Sequence, residues 1–387
     1  DAGTKGRKEE AATGNTGIST VICTNRGSEE KFSLQNDHLR VQMDSAGRII
    51  SLALDGEELV NKEQPMNRLR LYRNINGYYD AWELGSMYEQ EEELLDTTEW
   101  KLEQTMYQGR EACRLTGKIR KSTFTQIICF SEDGLALEFH MQIDWQERHR
   151  MLKADFPSVI RSGHVKGEIA FGFCSRPVTA SYQWEKDRYE VSGHRYSVLE
   201  NGKYGIALLN DSKYGYSAKE DRISLTLLRS PLKPDQHADQ GMQEFSYACY
   251  PFKGDMVQAQ VVQRGIDFNR RAHLKKELLE AEQAASGQNR LFYLAAEEGS
   301  CHVLPEAVKL SEDGKGNVVI RLYEACGIPQ DVKFTSLYPA EKLEETNLLE
   351  KDGERRNTEE GSVLLRFRPF EIKTIKMEVK RCLKEKM

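Results

Sequence analysis

The stretch Tyr204–Gly241, YGIALLNDSKYGYSAKEDRISLTLLRSPLKPDQHADQG, decides the fold. An apolar run, Ile206 to Leu209, meets the polar corner Asn210-Asp211-Ser212-Lys213 and a Tyr-Gly-Tyr triplet. A second apolar run, Ile223 to Leu228, breaks into a loop holding Arg229, Pro231, Pro234, His237 and Asp239. Apolar runs this short, bounded by turn residues, read as strands. Two core strands therefore deliver a loop full of Arg, Asp and His to one sheet edge, and such decorated loops usually carry more than packing.

The same grammar extends outward in both directions. His38 to Asp44 alternates apolar and polar residues, Ser45-Ala46-Gly47 turns, and Arg48 to Leu54 runs back, the pattern of a hairpin half-buried on one face. Leu135 to Trp145 is apolar at every odd position and follows the turn Glu132-Asp133-Gly134, as the partner of Phe124 to Phe130 should. Gly167 to Phe173, His194 to Leu199, and Tyr204 to Leu209 after the turn Asn201-Gly202 continue the series. Many strands joined by short turns predict a mainly β protein of stacked antiparallel sheets.

Only Arg270 to Ser286 breaks the pattern, with Leu274, Leu278 and Leu279 at helical spacing and Gly287 placed to close a helix. Beyond it, Asn317 to Tyr323 and Ser362 to Val379 resume strand patterning. The expected organisation is a leader and entry strand over 1–35, a large β-sandwich over 36–269, a helical connector over 270–300 and a small C-terminal β-sandwich over 301–387. The tail Lys380 to Met387 is basic.

At 387 residues, 39% hydrophobic and 30% charged with a net charge of −6, the chain has the composition of a soluble protein. No apolar stretch is long enough to span a bilayer. A mild acidic excess without clustered Lys and Arg argues against a nucleic-acid partner. The eight cysteines stand at irregular spacings without a CxxC pair, which fits free thiols of a reducing cytoplasm. The polar opening DAGTKGRKEEAATGNTG has neither the apolar centre of a signal peptide nor an initiator Met, so the chain reads as a fragment or a processed piece.

Candidates for chemistry are few. His237-Ala238-Asp239 has a His-x-Asp spacing, but adjacent ligands without a second pair do not make a zinc site, and an ordinary loop is the better reading. GxSxG, HExxH and phosphate-binding glycine loops are missing from the sequence. His140, His149, His164 and His194 alternate with apolar residues or sit at strand ends, as structural histidines do. Asn74-Ile75-Asn76-Gly77-Tyr78-Tyr79-Asp80-Ala81-Trp82 offers rings for stacking and carboxamides for hydroxyl groups, a mixture that suits either a sugar site or an aromatic lid over the core. Arg229 reads either as an exposed cation serving a site or as a brace for its own loop through Asp235 or Asp239.

Taken together and in order, Asn36 to Val41, Tyr79-Asp80-Ala81-Trp82, Ser192 to Tyr196, Tyr204 to Gly215, Leu228-Arg229-Ser230-Pro231, Ala238 to Gly241, Arg321-Leu322-Tyr323-Glu324 and Arg368 to Thr374 resemble the C-terminal half of family 38 α-mannosidases, in particular the bacterial and cytosolic branch. The resemblance implies a retaining exo-α-mannosidase. Its separate N-terminal catalytic α/β domain would supply the zinc ligands and the Asp nucleophile, motifs that this sequence does not contain. It further implies that the large sandwich is of the galactose-mutarotase-like type and lends side chains to the rim of the sugar site. Tyr79 matches an aromatic sugar contact, Arg229 a β-domain arginine, and Asp239 belongs to the same rim. The family pattern carries a His two residues ahead of Phe245, where this sequence has Gln243.

The expectation is therefore a chain with no catalytic residue and no metal of its own, inactive alone, with zinc held by the missing domain. Its partners would be that domain and a mannoside, with neither nucleic acid nor membrane, and a homo-oligomer through exposed sheet edges. The alternatives are a stand-alone carbohydrate-binding β-sandwich or a mutarotase-like enzyme, which needs a His acid and a carboxylate base facing one anomeric carbon.

Overall fold

The computed structural model describes residues 20–26, 29–74, 77–269, 291–337, 340–356, 358 and 361–379. The helix expected over Arg270 to Ser286, the leader as far as residue 19 and the basic tail lie outside them. The protein is mainly antiparallel β. Among the described residues the helices are Tyr88–Glu91, Gln183–Lys186 and Val261–Asn269. None of these is long and apolar enough to cross a membrane. The chain divides into two compact units, Asp1–Val159 with Leu228–Pro251, and Ile160–Leu227 with Phe252–Met387.

The first unit opens with a five-stranded meander of Thr20–Arg26, Glu29–Gln35, Leu39–Met43, Ile49–Leu54 and Glu57–Glu58. Leu39, Val41 and Met43 are buried while Arg40 and Gln42 are exposed, so the alternation in the sequence becomes the two faces of the strand. A second antiparallel run joins Lys101–Tyr107, Arg110–Ile119, Ser122–Phe130, Leu137–Trp145 and Gly241–Lys253 in that spatial order. Phe130 pairs with Leu137 across the expected turn, where Gly134 adopts a φ of +73°. A third group sets Arg68–Arg73 between Arg150–Pro157 and Glu92–Glu93.

Between these strands Phe139 stacks on Tyr247 at 4.9 Å, with Phe156 edge-on. The polar atoms buried there satisfy each other in a ring. Gln126 Nε2 donates to the Tyr247 hydroxyl at 2.8 Å, the hydroxyl donates to Asn67 Oδ1 at 2.7 Å, and Asn67 Nδ2 returns to Gln126 Oε1 at 3.0 Å. These three side chains thus close a hydrogen-bonded ring inside the core.

In the second unit the organising stretch differs in detail from the expectation. Tyr204–Asn210 pairs with Tyr196–Glu200, whereas Arg222–Arg229 pairs with Gly215–Lys219, so the two apolar runs lie in different sheets and the polar corner at 211–214 carries the chain between them. The Tyr-Gly-Tyr triplet thus begins a strand of its own. Tyr216 is 1% exposed and its ring passes over Gly167 so closely that a Cβ there would lie 1.7 Å from the hydroxyl oxygen. Gly167 to Phe173, expected as one strand, is a hairpin: His164–Ile169 pairs with Gly172–Pro177, and Phe171 makes the turn with a φ of +60°. Its ring packs edge-on against Tyr323 at 5.6 Å, a tertiary contact that holds a residue type poorly suited to that turn.

The C-terminal strands form a sandwich. One sheet holds Phe292–Ala296, Gln330–Ser336 and Ser362–Phe367; the other holds Val303–Leu310, Val318–Glu324, Ile372–Val379, Ala340–Thr346 and Glu354–Arg356. Val332, Phe334, Leu365 and Phe367 from the first meet Ile320, Leu322, Ile375 and Met377 from the second. Ser362 to Val379 therefore supplies one strand to each sheet, with the turn at Phe370 between them.

Candidate functional site

The decorated loop that follows Arg229 meets the aromatic stretch after Asn74. Asp80, only 3% exposed, hooks the two together. Its Oδ2 accepts the Leu232 amide at 2.9 Å, its Oδ1 accepts the Lys233 amide at 2.8 Å, and the Ala81 amide donates back to the Lys233 carbonyl at 3.1 Å. His149 Nδ1 lies 3.2 Å from Asp80 Oδ2. Burial works to raise the Asp80 carboxyl, but the Leu232 and Lys233 amides and the His149 charge prevail and hold it below the usual carboxylate range. Asp80 is therefore an ionised anchor.

Arg229 supplies the second hook. Its amide donates to Asp239 Oδ2 at 2.8 Å. Its guanidinium turns into the aromatic loop, donating to the Ala81 carbonyl at 3.3 Å, to Asn74 Oδ1 at 3.5 Å and to the carbonyls of Asp80 and Glu83. A planar group with five donors is suited to gathering several carbonyls of one turn. Of the two readings open in the sequence, Arg229 is the brace. The loop it braces is the distant one at 80–83, while Asp239 fixes its backbone. Ser230 continues the seam, with its amide donating to the Arg150 carbonyl and its carbonyl accepting the His149 amide.

The hooks lie underneath and leave the rings facing outward. Tyr78 and Trp82 are 69% and 70% exposed, and Tyr79 is 43% exposed between them. Tyr79 and Trp82 are 4.6 Å apart and tilted by 30°, Tyr78 stands edge-on to Tyr79 at 4.8 Å, and Lys233 Nζ sits 3.8 Å from the Tyr78 ring centroid. Three exposed rings on a loop pinned by a carboxylate and a guanidinium form an aromatic platform with a cationic edge. It can stack against the C–H face of a sugar or against another chain. The buried Asp80 carboxylate beneath it is committed to the Leu232 and Lys233 amides.

The structure brings Tyr79, Arg229 and Asp239, the residues singled out in the sequence, into one place. His237 is exposed, and its backbone amide donates to Asp235 Oδ1 at 2.8 Å. Gln243 pairs with Ile143 in the strand register. The anchoring roles of Asp80 and Lys233 were not legible, since their contact spans 153 residues of sequence and neither motif announces the other.

An antiparallel β scaffold carrying an aromatic surface platform is the class that fold and site define. Residues 34–237 match the glycosyl hydrolases family 38 C-terminal domain, and residues 302–375 match the glycosyl hydrolases family 38 C-terminal beta sandwich domain. The chain belongs to glycosyl hydrolase family 38, through the C-terminal region of that family. It is 31% identical over 362 residues to alpha-mannosidase 2C1 of Homo sapiens, a match covering 89% of this chain and 33% of that protein. It is 29% identical over 359 residues to alpha-mannosidase G of Dictyostelium discoideum, covering 89% and 32%. The crystal structure of an alpha-mannosidase from Enterococcus faecalis V583 has the same fold, with a TM-score of 0.68 at 17% identity over 89% of this chain and 42% of that one. The chain thus spans about a third of the length of the curated relatives it matches.

Proposed function

We propose that this chain is the C-terminal β region of a zinc-dependent retaining α-mannosidase that removes terminal α-mannosyl residues, and that it is inactive alone. The observation that carries the reading is the ordered family match at both ends of the chain, together with relatives about three times its length that are named α-mannosidases. Zinc and the Asp nucleophile would belong to an N-terminal catalytic domain, its principal partner, with no metal in the rim formed by Tyr79, Arg229 and Asp239. In this reading the platform of Tyr78, Tyr79 and Trp82 faces that domain and completes one wall of the sugar site, while Arg229 and Asp239 keep the wall in place from behind. The free cysteines, Cys113, Cys129, Cys249 and Cys326 among the buried ones, fit a cytoplasmic location. A homo-oligomer through sheet edges fits the same architecture.

The exposure of the three rings favours one other reading, a stand-alone carbohydrate-binding sandwich. Protein-observed NMR during a titration with methyl α-mannoside separates the two. An isolated wall binds in the millimolar range or more weakly, with shifts confined to the Trp82 indole and its neighbours. Saturation at micromolar sugar overturns the first reading in favour of the second.

A further inference from the structure

In the second unit, Val303 pairs with Glu324 at the end of the ladder between Val303–Leu310 and Val318–Glu324. The pairing runs one step further, where the Ala325 amide donates to the His302 carbonyl at 3.0 Å. That step places a His302 ring nitrogen, a Glu324 carboxylate oxygen and the Cys326 sulfur within 4.8 Å of one another. Glu324 is 0% and Cys326 8% exposed. Both ring nitrogens of His302 are sealed from solvent and have no hydrogen-bond partner among the described residues. Beside the cluster is a cavity of about 120 Å³, bordered by His302, Cys326, Cys301, Met256 and Gln260.

The acceptor count at Glu324 is uneven. Among the described residues Oε2 takes the Gly327 and Phe370 amides at 2.8 and 2.9 Å, whereas Oε1 takes the Cys326 amide alone, at 2.7 Å. A carboxylate oxygen has two lone pairs, so Oε1 keeps one free. A second cluster, Cys129, Glu138 and His140, is filled instead: His140 contacts Ser246 at 3.0 Å and Glu138 at 3.1 Å, and Arg110 lies 3.5 Å from Glu138.

We propose that His302, Glu324 and Cys326 are three ligands of a binding site for a thiophilic divalent cation of the zinc type, with the adjoining cavity holding a water as the fourth. One imidazole, one thiolate and one carboxylate in four-coordination is a donor set that suits a borderline-soft ion. The cation displaces the Cys326 proton to solvent as the metal–sulfur bond forms. The site rests on the geometry of the second unit and does not depend on the mannosidase reading.

Titrating the reduced chain with Co²⁺ and following thiolate-to-cobalt charge-transfer absorption tests the assignment. The expected result is a band that saturates at one equivalent, is discharged by Zn²⁺, disappears in Cys326→Ser, weakens in His302→Ala and survives in Cys174→Ser. The unsubstituted chain gives a second readout that does not require a variant to fold: Zn²⁺ raises its thermal unfolding midpoint and a chelator reverses the rise. No band at excess Co²⁺, a band unchanged in Cys326→Ser, or a midpoint indifferent to Zn²⁺ overturns the site.

Discussion

Asp80 and Glu324 are both nearly sealed from water, and both accept backbone amides: Leu232 and Lys233 in the first case, Cys326, Gly327 and Phe370 in the second. Their surroundings differ. Asp80 faces His149 at 3.2 Å, and the loop it anchors turns three rings toward solvent. Glu324 faces an imidazole whose two nitrogens have no hydrogen-bond partner among the described residues, and a buried thiol beside a cavity. A carboxylate that mainly holds turns together builds a surface for something else to use, whereas one that keeps an open acceptor beside other donors gathers a site around itself.

The comparison predicts a ranking of stability effects. Glu324→Ala strands three amide donors in a buried place and should cost about 4 kcal/mol, read as a lower urea midpoint at unchanged m-value. Asp80→Ala strands two and should cost about 2 to 3 kcal/mol. The reverse order would break the comparison. The Asp80 carboxyl is held below its unfolded-state value of about 3.9. Its contribution to stability is therefore present above that value and is lost as pH falls through the lower folded value. Asp80→Asn should flatten the acid limb of the stability curve below about pH 4, and an unaltered limb would remove Asp80 as the anchor. Trp82→Ala should be the mildest change, within about 0.5 kcal/mol, since the ring is 70% exposed; a larger loss would mean that the platform is part of the core.

Strands whose burial alternates were legible: Leu39–Met43 and Leu137–Trp145 appear with the faces and pairings that their period predicts. The turn at Phe171 and the strand Gly215–Lys219 were hidden, because neither carries a local signal. Phe171 is fixed by Tyr323, and the Tyr216 strand depends on a distant glycine to admit its ring. Within the candidate site the rings could be found from composition, but the direction of Arg229 could not. Its acceptors are carbonyls some 150 residues away, and a carbonyl leaves no trace in residue type. The cluster around Glu324 was invisible for the same reason, since Arg321-Leu322-Tyr323-Glu324 reads as the end of a strand until His302 is placed opposite it.

The function proposed for this chain is to shape a mannoside site without performing the chemistry. Hydrolysis of para-nitrophenyl α-mannoside by the purified chain, with Zn²⁺ or Co²⁺ supplied, measures it most directly. The account predicts release indistinguishable from a blank without protein at every metal concentration, and metal-dependent, saturable turnover that co-purifies with the chain would contradict it.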